Sequence, residues 1–195
     1  MKLFRREPRF SWSAYQIGMM VALLSITVFF AALIIAYSVS VRAQSQWQRI
    51  DVPKLLWVST GILLFSSATF EASRFALRRA RFDSFQSGVR LTMLLGIAFL
   101  VSQLLSWDVL RRAGVYVQQN PHGSMFYAFT GAHGVHLFGG ICGVGYVLHH
   151  GRNLEAWTEH QLRRFRAIVG VVSVYWHFMG ALWAVLFVLL YVWSY

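Results

Sequence analysis

Residues 113–151, "AGVYVQQNPHGSMFYAFTGAHGVHLFGGICGVGYVLHHG", contain no Asp, Glu, Lys or Arg. About 20 apolar residues in a helix cross a ~30 Å hydrocarbon core, so a run of this length predicts a membrane span with residues to spare. Four further uncharged runs, 10–41, 55–70, 91–107 and 167–195, repeat the signal. Composition agrees: 57% of the chain is hydrophobic and 13% is charged, whereas roughly a quarter of a soluble domain is charged. The expected fold is an all-α membrane protein, one membrane domain over residues 1–195, with five transmembrane helices at about 15–41, 55–77, 88–110, 125–150 and 167–193. The first run follows Lys2, Arg5, Arg6 and Arg9, as a signal peptide would, but it exceeds the roughly 7–15 residues of an h-region and is read as a retained helix. Pro53 stands near the start of helix 2 and Pro121 before helix 4, where a missing N–H is harmless. The connections are short, the longest at about 151–166, so function is expected within the bundle.

The net charge of +11 would suggest nucleic acid in a soluble protein. Here its placement marks orientation instead, and no nucleic-acid partner is expected. Thirteen of the eighteen Lys and Arg residues lie in the N-terminal tail, at Arg74, Arg78, Arg79, Arg81 and Arg90, and at Arg152, Arg163, Arg164 and Arg166. The other side has Arg42, Arg49, Lys54, Arg111 and Arg112. The positive-inside rule then puts the N-terminus in the cytoplasm and the C-terminus in the periplasm.

Intramembrane acids mark proton relays and pumps, yet all seven acids of this chain fall in predicted loops or near predicted helix ends. Glu71 is the deepest and stands one turn before Arg74, which suggests a local ion pair. Histidines are the stronger signal. His133 and His136 are i, i+3 neighbours about 16 Å or less from the outer end of helix 4, and His177 lies about 15 Å from the inner end of helix 5. Two readings stay open: an interhelical hydrogen-bond cluster with Thr130, Tyr175 and Trp176, or a bis-histidine haem site. A zinc or copper site would need three or four convergent ligands. His122, His149, His150 and His160 are read as surface residues.

Gly131, Gly134, Gly139 and Gly143 mark a packing face on helix 4, with Gly139 and Gly143 in GxxxG spacing; spacing alone does not say whether helix 5 or another protein covers it. Trp12, Trp107, Trp183, Trp193 and Tyr195 read as an interfacial belt. Cys142, the one cysteine, reads as a small core residue.

Taken together, "FYAFTGAHGVHLFGG" (126–140) and "YWHFMGALWAVLFVLLYVW" (175–193) resemble the last two helices of subunit III of haem–copper (cytochrome c) oxidases, in the bacterial five-helix form. Helix 2 resembles that family's N-T-x-x-L-L-x-S-S segment through Thr60, Ser66 and Ser67, with Ser59 in place of the Asn. Helix 3 resembles its L-G-x-x-F-x-x-x-Q segment through Gly96, Phe99 and Gln103, and Tyr175 opens the Y-W-H-F stretch. Two acids of the family pattern are replaced, by Ile26 in helix 1 and Gly180 in helix 5, which touches the family's support of proton uptake. The resemblance implies an accessory subunit of a respiratory chain in the plasma membrane. It would carry no cofactor, pack beside subunits I and II that hold haem and copper, and bind phospholipid between a two-helix and a three-helix group. His133, His136, Trp176 and His177 would then form a structural or partner-facing polar cluster. The competing readings are an accessory subunit of a nitric oxide reductase, a haem b quinone-reactive anchor and a small transporter, the last disfavoured by the lack of repeats.

Overall fold

The computed structural model describes residues 14–43, 55–114 and 121–194. It contains α1 (Ala14–Ala43), α2 (Leu55–Arg78), α3 (Phe82–Arg112), α4 (Pro121–His150) and α5 (Glu159–Ser194), with one 3₁₀ turn at Leu154–Ala156. All five helices are long and apolar enough to cross a membrane. The basic tail, Trp12, Arg49, Pro53, Lys54 and Tyr195 lie outside the described residues, as do the side chains of Arg42, His122 and Trp193.

Three helices, α3, α4 and α5, begin earlier than hydropathy predicts. α5 opens eight residues before Ala167 because Thr158 and Gln161 form a capping box: the Thr158 N–H donates to Gln161 Oε1 at 2.8 Å, and the Gln161 N–H donates to Thr158 Oγ1 at 3.4 Å. α3 opens at Phe82 rather than near Gly88, because Phe85 and Val89 are fully buried on its first turns while Asp83, Ser84 and Arg90 face outward. α4 starts on Pro121 itself, the first helical position that proline favours.

α2 and α3 are joined by Arg79–Arg81 alone. The Arg81 N–H bonds to Ala76 O at 2.9 Å and the Ala80 N–H to Leu77 O at 3.3 Å, the paired bonds of a Schellman stop, with Ala80 left-handed at φ 54°. This hairpin is the most extensive helix pair; α5 packs on α2 and α4, and α4 also on α3. α1 instead leans on α4 and α5. Its buried side chains among those described are Ile26, Phe30 and Tyr37, four and seven residues apart on one face of the helix. Where a split into helices 1 and 2 against helices 3 to 5 is expected, α2 packs on α3 and α5, and α1 on α4 and α5. At one end of the bundle, Gln86 Nε2 donates to Gly151 O (2.8 Å) and Arg166 to Leu77 O (3.5 Å), tying the α2–α3 and α4–α5 connections together.

Candidate functional site

In α2 the buried positions Leu56, Ser59, Leu63, Ser66, Phe70, Ser73 and Leu77 alternate spacings of three and four, the pattern of a helix packed along one seam. Serine takes every second position. Across the seam α3 buries Val89, Thr92, Gly96, Phe99, Gln103 and Ser106 at the same spacing. Small residues bring the backbones close, which matters in lipid, where no hydrophobic force draws helices together. Hydroxyls and amides then pair across the gap: Thr69 Oγ1 with Thr92 Oγ1 at 2.9 Å, and Gln103 Nε2 donating to Ser59 Oγ at 3.0 Å.

Three indoles fasten α4 and α5 to this pair. Trp176 and Trp183 sit seven residues apart on α5, on one face. Trp176 Nε1 donates to Ser66 Oγ (2.8 Å) and Trp183 Nε1 to Thr60 Oγ1 (3.0 Å). Trp107 Nε1 of α3 donates to Thr130 Oγ1 of α4 at 2.9 Å. Reading Trp107 and Trp183 as belt anchors is thus corrected. Trp183 is 1% exposed, and the missed signal is its heptad spacing from Trp176, opposite hydroxyls on α2. Gly96 makes room for Trp176: a Cβ there would stand 2.7 Å from the indole.

Gly131, Gly134, Gly139 and Gly143 of α4 face side chains of neighbouring helices. A Cβ at Gly139 would approach the Tyr175 hydroxyl (3.7 Å) and one at Gly143 would touch Val172 (3.4 Å), both on α5; Gly131 meets Trp107 and Gly134 meets Leu100, both on α3. Cys142, in contrast, is exposed, which corrects its assignment to the core.

The histidines expected to meet do not share a centre. His133 is fully buried between Phe99 (5.7 Å between ring centroids) and Trp183 (5.0 Å), and neither ring nitrogen has a hydrogen-bond partner. His136 points toward α1, against Phe29 and Phe30, with Nδ1 2.7 Å from Ala132 O. The Tyr175 hydroxyl donates to the carbonyl of His136 at 2.8 Å. His177 turns to α2, its Nε2 3.4 Å from Glu71 Oε2. Arg74 completes this second cluster, 2.6 Å from the same carboxylate oxygen and 3.2 Å from Ser173 Oγ. Among the described residues no group of three or more His, Cys, Asp and Glu stands together as a metal site. At the two positions where acids are replaced, Ile26 is buried and Gly180 packs beside Ser67 Oγ, which a Cβ would approach to 3.1 Å. His149, His150 and His160 are exposed.

These features define a five-span helical membrane protein whose internal polar groups fasten helix to helix. Comparison with known proteins specifies it further. The family described as "Cytochrome c oxidase subunit III" matches residues 9–195. A "Probable cytochrome c oxidase subunit 3" of Mycobacterium tuberculosis is 31% identical over 180 residues, 90% of this chain and 86% of that protein. The "Cytochrome c oxidase subunit 3" of Corynebacterium diphtheriae is 33% identical over 183 residues, with the same coverage, and that of Thermostichus vulcanus 28% over 179. The chain belongs to the cytochrome c oxidase subunit III family.

Proposed function

We propose that this chain is the accessory subunit III of a respiratory haem–copper terminal oxidase in a bacterial plasma membrane, with its N-terminus in the cytoplasm. Oxygen is reduced to water in the catalytic subunit I, served by subunit II. This chain stabilises subunit I and holds phospholipid, and its own residues carry no redox step. The observation that supports this most directly is the use made of the family-pattern residues: Thr60, Ser66, Gly96, Gln103, Tyr175 and Trp176 all act in contacts between helices. A polar group that is bonded to its neighbour, inside a bundle of this kind, builds a scaffold.

Support for lipid holding comes from the groove between α1 and α5. It encloses about 370 Å³ between Met19, Met20 and Leu23 on one side and Gly170, Val171 and Val174 on the other, with Arg74 at its edge. Apolar walls suit an acyl chain. The groove exists because α1 touches the bundle at few points.

The test is to tag the C-terminus, extract the complex in mild detergent, identify its chains by mass spectrometry and record a reduced-minus-oxidised spectrum. Co-purification of a haem–copper catalytic subunit, with the haem signal leaving when that subunit is stripped, supports the proposal. A stripped chain that keeps haem overturns it.

A further inference from the structure

Glu71, Arg74 and His177 form a cluster in an unusual place. Glu71 lies seven residues before Arg78, about 10 Å along α2, and His177 eleven residues past Arg166, about 16 Å along α5. Arg78 and Arg166 belong to the basic end of the bundle, so the cluster lies two to three turns inside α2 and α5, both long and apolar enough to cross a membrane, deeper than a helix-end position for Glu71 implies. Yet it is open to the outside: the Glu71 side chain is 50% exposed and that of His177 38%. Intramembrane ionisable groups ordinarily face a bundle interior or a water-filled cavity, and a helix of another subunit laid over this face would make it an interior.

We infer that the outward face of α2 and α5 around Glu71 docks a membrane-spanning helix of another subunit, which places a neutral hydrogen-bond donor, a hydroxyl, amide or indole, against the Glu71 carboxylate. This rests on the chain being one subunit of a membrane complex, as proposed above. Arg74 and His177 both contact Oε2, and neither uses Oε1. The charges of Glu71 and Arg74 already cancel, so a cationic partner would bring an unpaired charge into hydrocarbon and an anionic one would repel the carboxylate. A neutral donor satisfies the free oxygen without either penalty. Close approach is possible because the exposed residues beside the cluster include Ala68 and Ala72 on α2 and Ala181 on α5. The depth also disfavours a lipid headgroup, whose polar atoms lie outside the hydrocarbon.

The test places a photoreactive diazirine amino acid at Ala72 in the tagged full chain, irradiates native membranes, and maps adducts in the purified complex. Adducts to a membrane-spanning peptide of another chain, with Ser, Thr, Tyr, Asn, Gln or Trp at the linked turn, are expected. Adducts to lipid alone, or to a turn bearing only charged groups, would overturn the inference. A second variant, Ala72→Leu, adds bulk only on the outward side; it should lower partner retention by about fivefold, the equivalent of one interhelical hydrogen bond, with an unchanged melting temperature for the isolated chain. Unchanged retention would count against docking here. Should the linked chain belong to no oxidase, the proposed function fails and the docking face stands; should an oxidase subunit co-purify while Ala72 links only to lipid, the reverse holds.

Discussion

Trp176 of α5 reaches across the bundle to donate its indole N–H to Ser66 Oγ of α2 at 2.8 Å, and its ring closes over Gly96 of α3. One side chain therefore fixes three helices. Its ring is held in place by the hydrogen bond at the other edge, so it cannot retreat from a larger neighbour. Gly96→Ala is expected to destabilise the chain by about 1–3 kcal/mol through overpacking. Thermal unfolding in detergent measures this, and Trp176→Phe in the same chain should recover part of the loss. A Gly96→Ala variant as stable as the parent would show that the ring moves freely.

Ser59 and Gln103 give an ordered pair of effects. Gln103 Nε2 donates to Ser59 Oγ at 3.0 Å, while Gln103 Oε1 is buried with no partner. Ser59→Ala leaves the whole buried amide unbonded, which costs about 1–3 kcal/mol. The double variant Ser59→Ala/Gln103→Leu removes both polar partners and should be more stable than Ser59→Ala alone. The reverse order in a denaturation series would contradict this account.

His133 is a different case from the other two histidines. Its ring nitrogens have no bonds to lose, so His133→Leu should leave stability unchanged or raise it by up to about 1 kcal/mol, in line with the penalty for an unsatisfied buried polar group. A loss well beyond 1 kcal/mol in detergent unfolding would mean that the contacts with Phe99 and Trp183 outweigh that penalty.

His136→Leu and His177→Leu act on contacts that hold α4 and α5 to their neighbours. Each is expected to weaken assembly of the complex by about 1 kcal/mol or less and to leave its haem spectrum unchanged. Blue-native gels and a difference spectrum check both halves, and a spectral shift with intact assembly would refute the structural role.

Ala80 holds the left-handed position of the α2 stop at φ 54°, where glycine has no Cβ penalty. Ala80→Gly should raise the unfolding free energy by about 1 kcal/mol, with no change in helix content by circular dichroism.

The fold was more legible than the site. Five spans followed from charge-free runs, since the distance a chain must cross in hydrocarbon is fixed by the bilayer. Hydropathy reports where lipid is, however, not where a helix ends, so the first turns of α3 and α5 went unread although the Thr158 to Gln161 box was there to find. Equal depth for His136 and His177 was no guide to contact, because depth along an axis leaves rotation about it free. The serine seam of α2 was legible as a family pattern through Ser66, but its pairing with indoles seven residues apart needed the packed helices. The neighbours of α1 were missed for a simpler reason: a helix apolar on every side carries no mark of which way it faces.

That same featureless surface bears on how the protein is made. α1 is synthesised before the helices it rests on, α4 and α5. Until they arrive it must wait alone in the bilayer, and a segment wetted by lipid on all sides can do so without exposing a polar edge. The α2–α3 hairpin, with its three-residue stop at Arg79–Arg81, can close as soon as its second arm is inserted. Order of synthesis and order of assembly therefore differ: α1 is made before the α2–α3 hairpin yet finds its place after it.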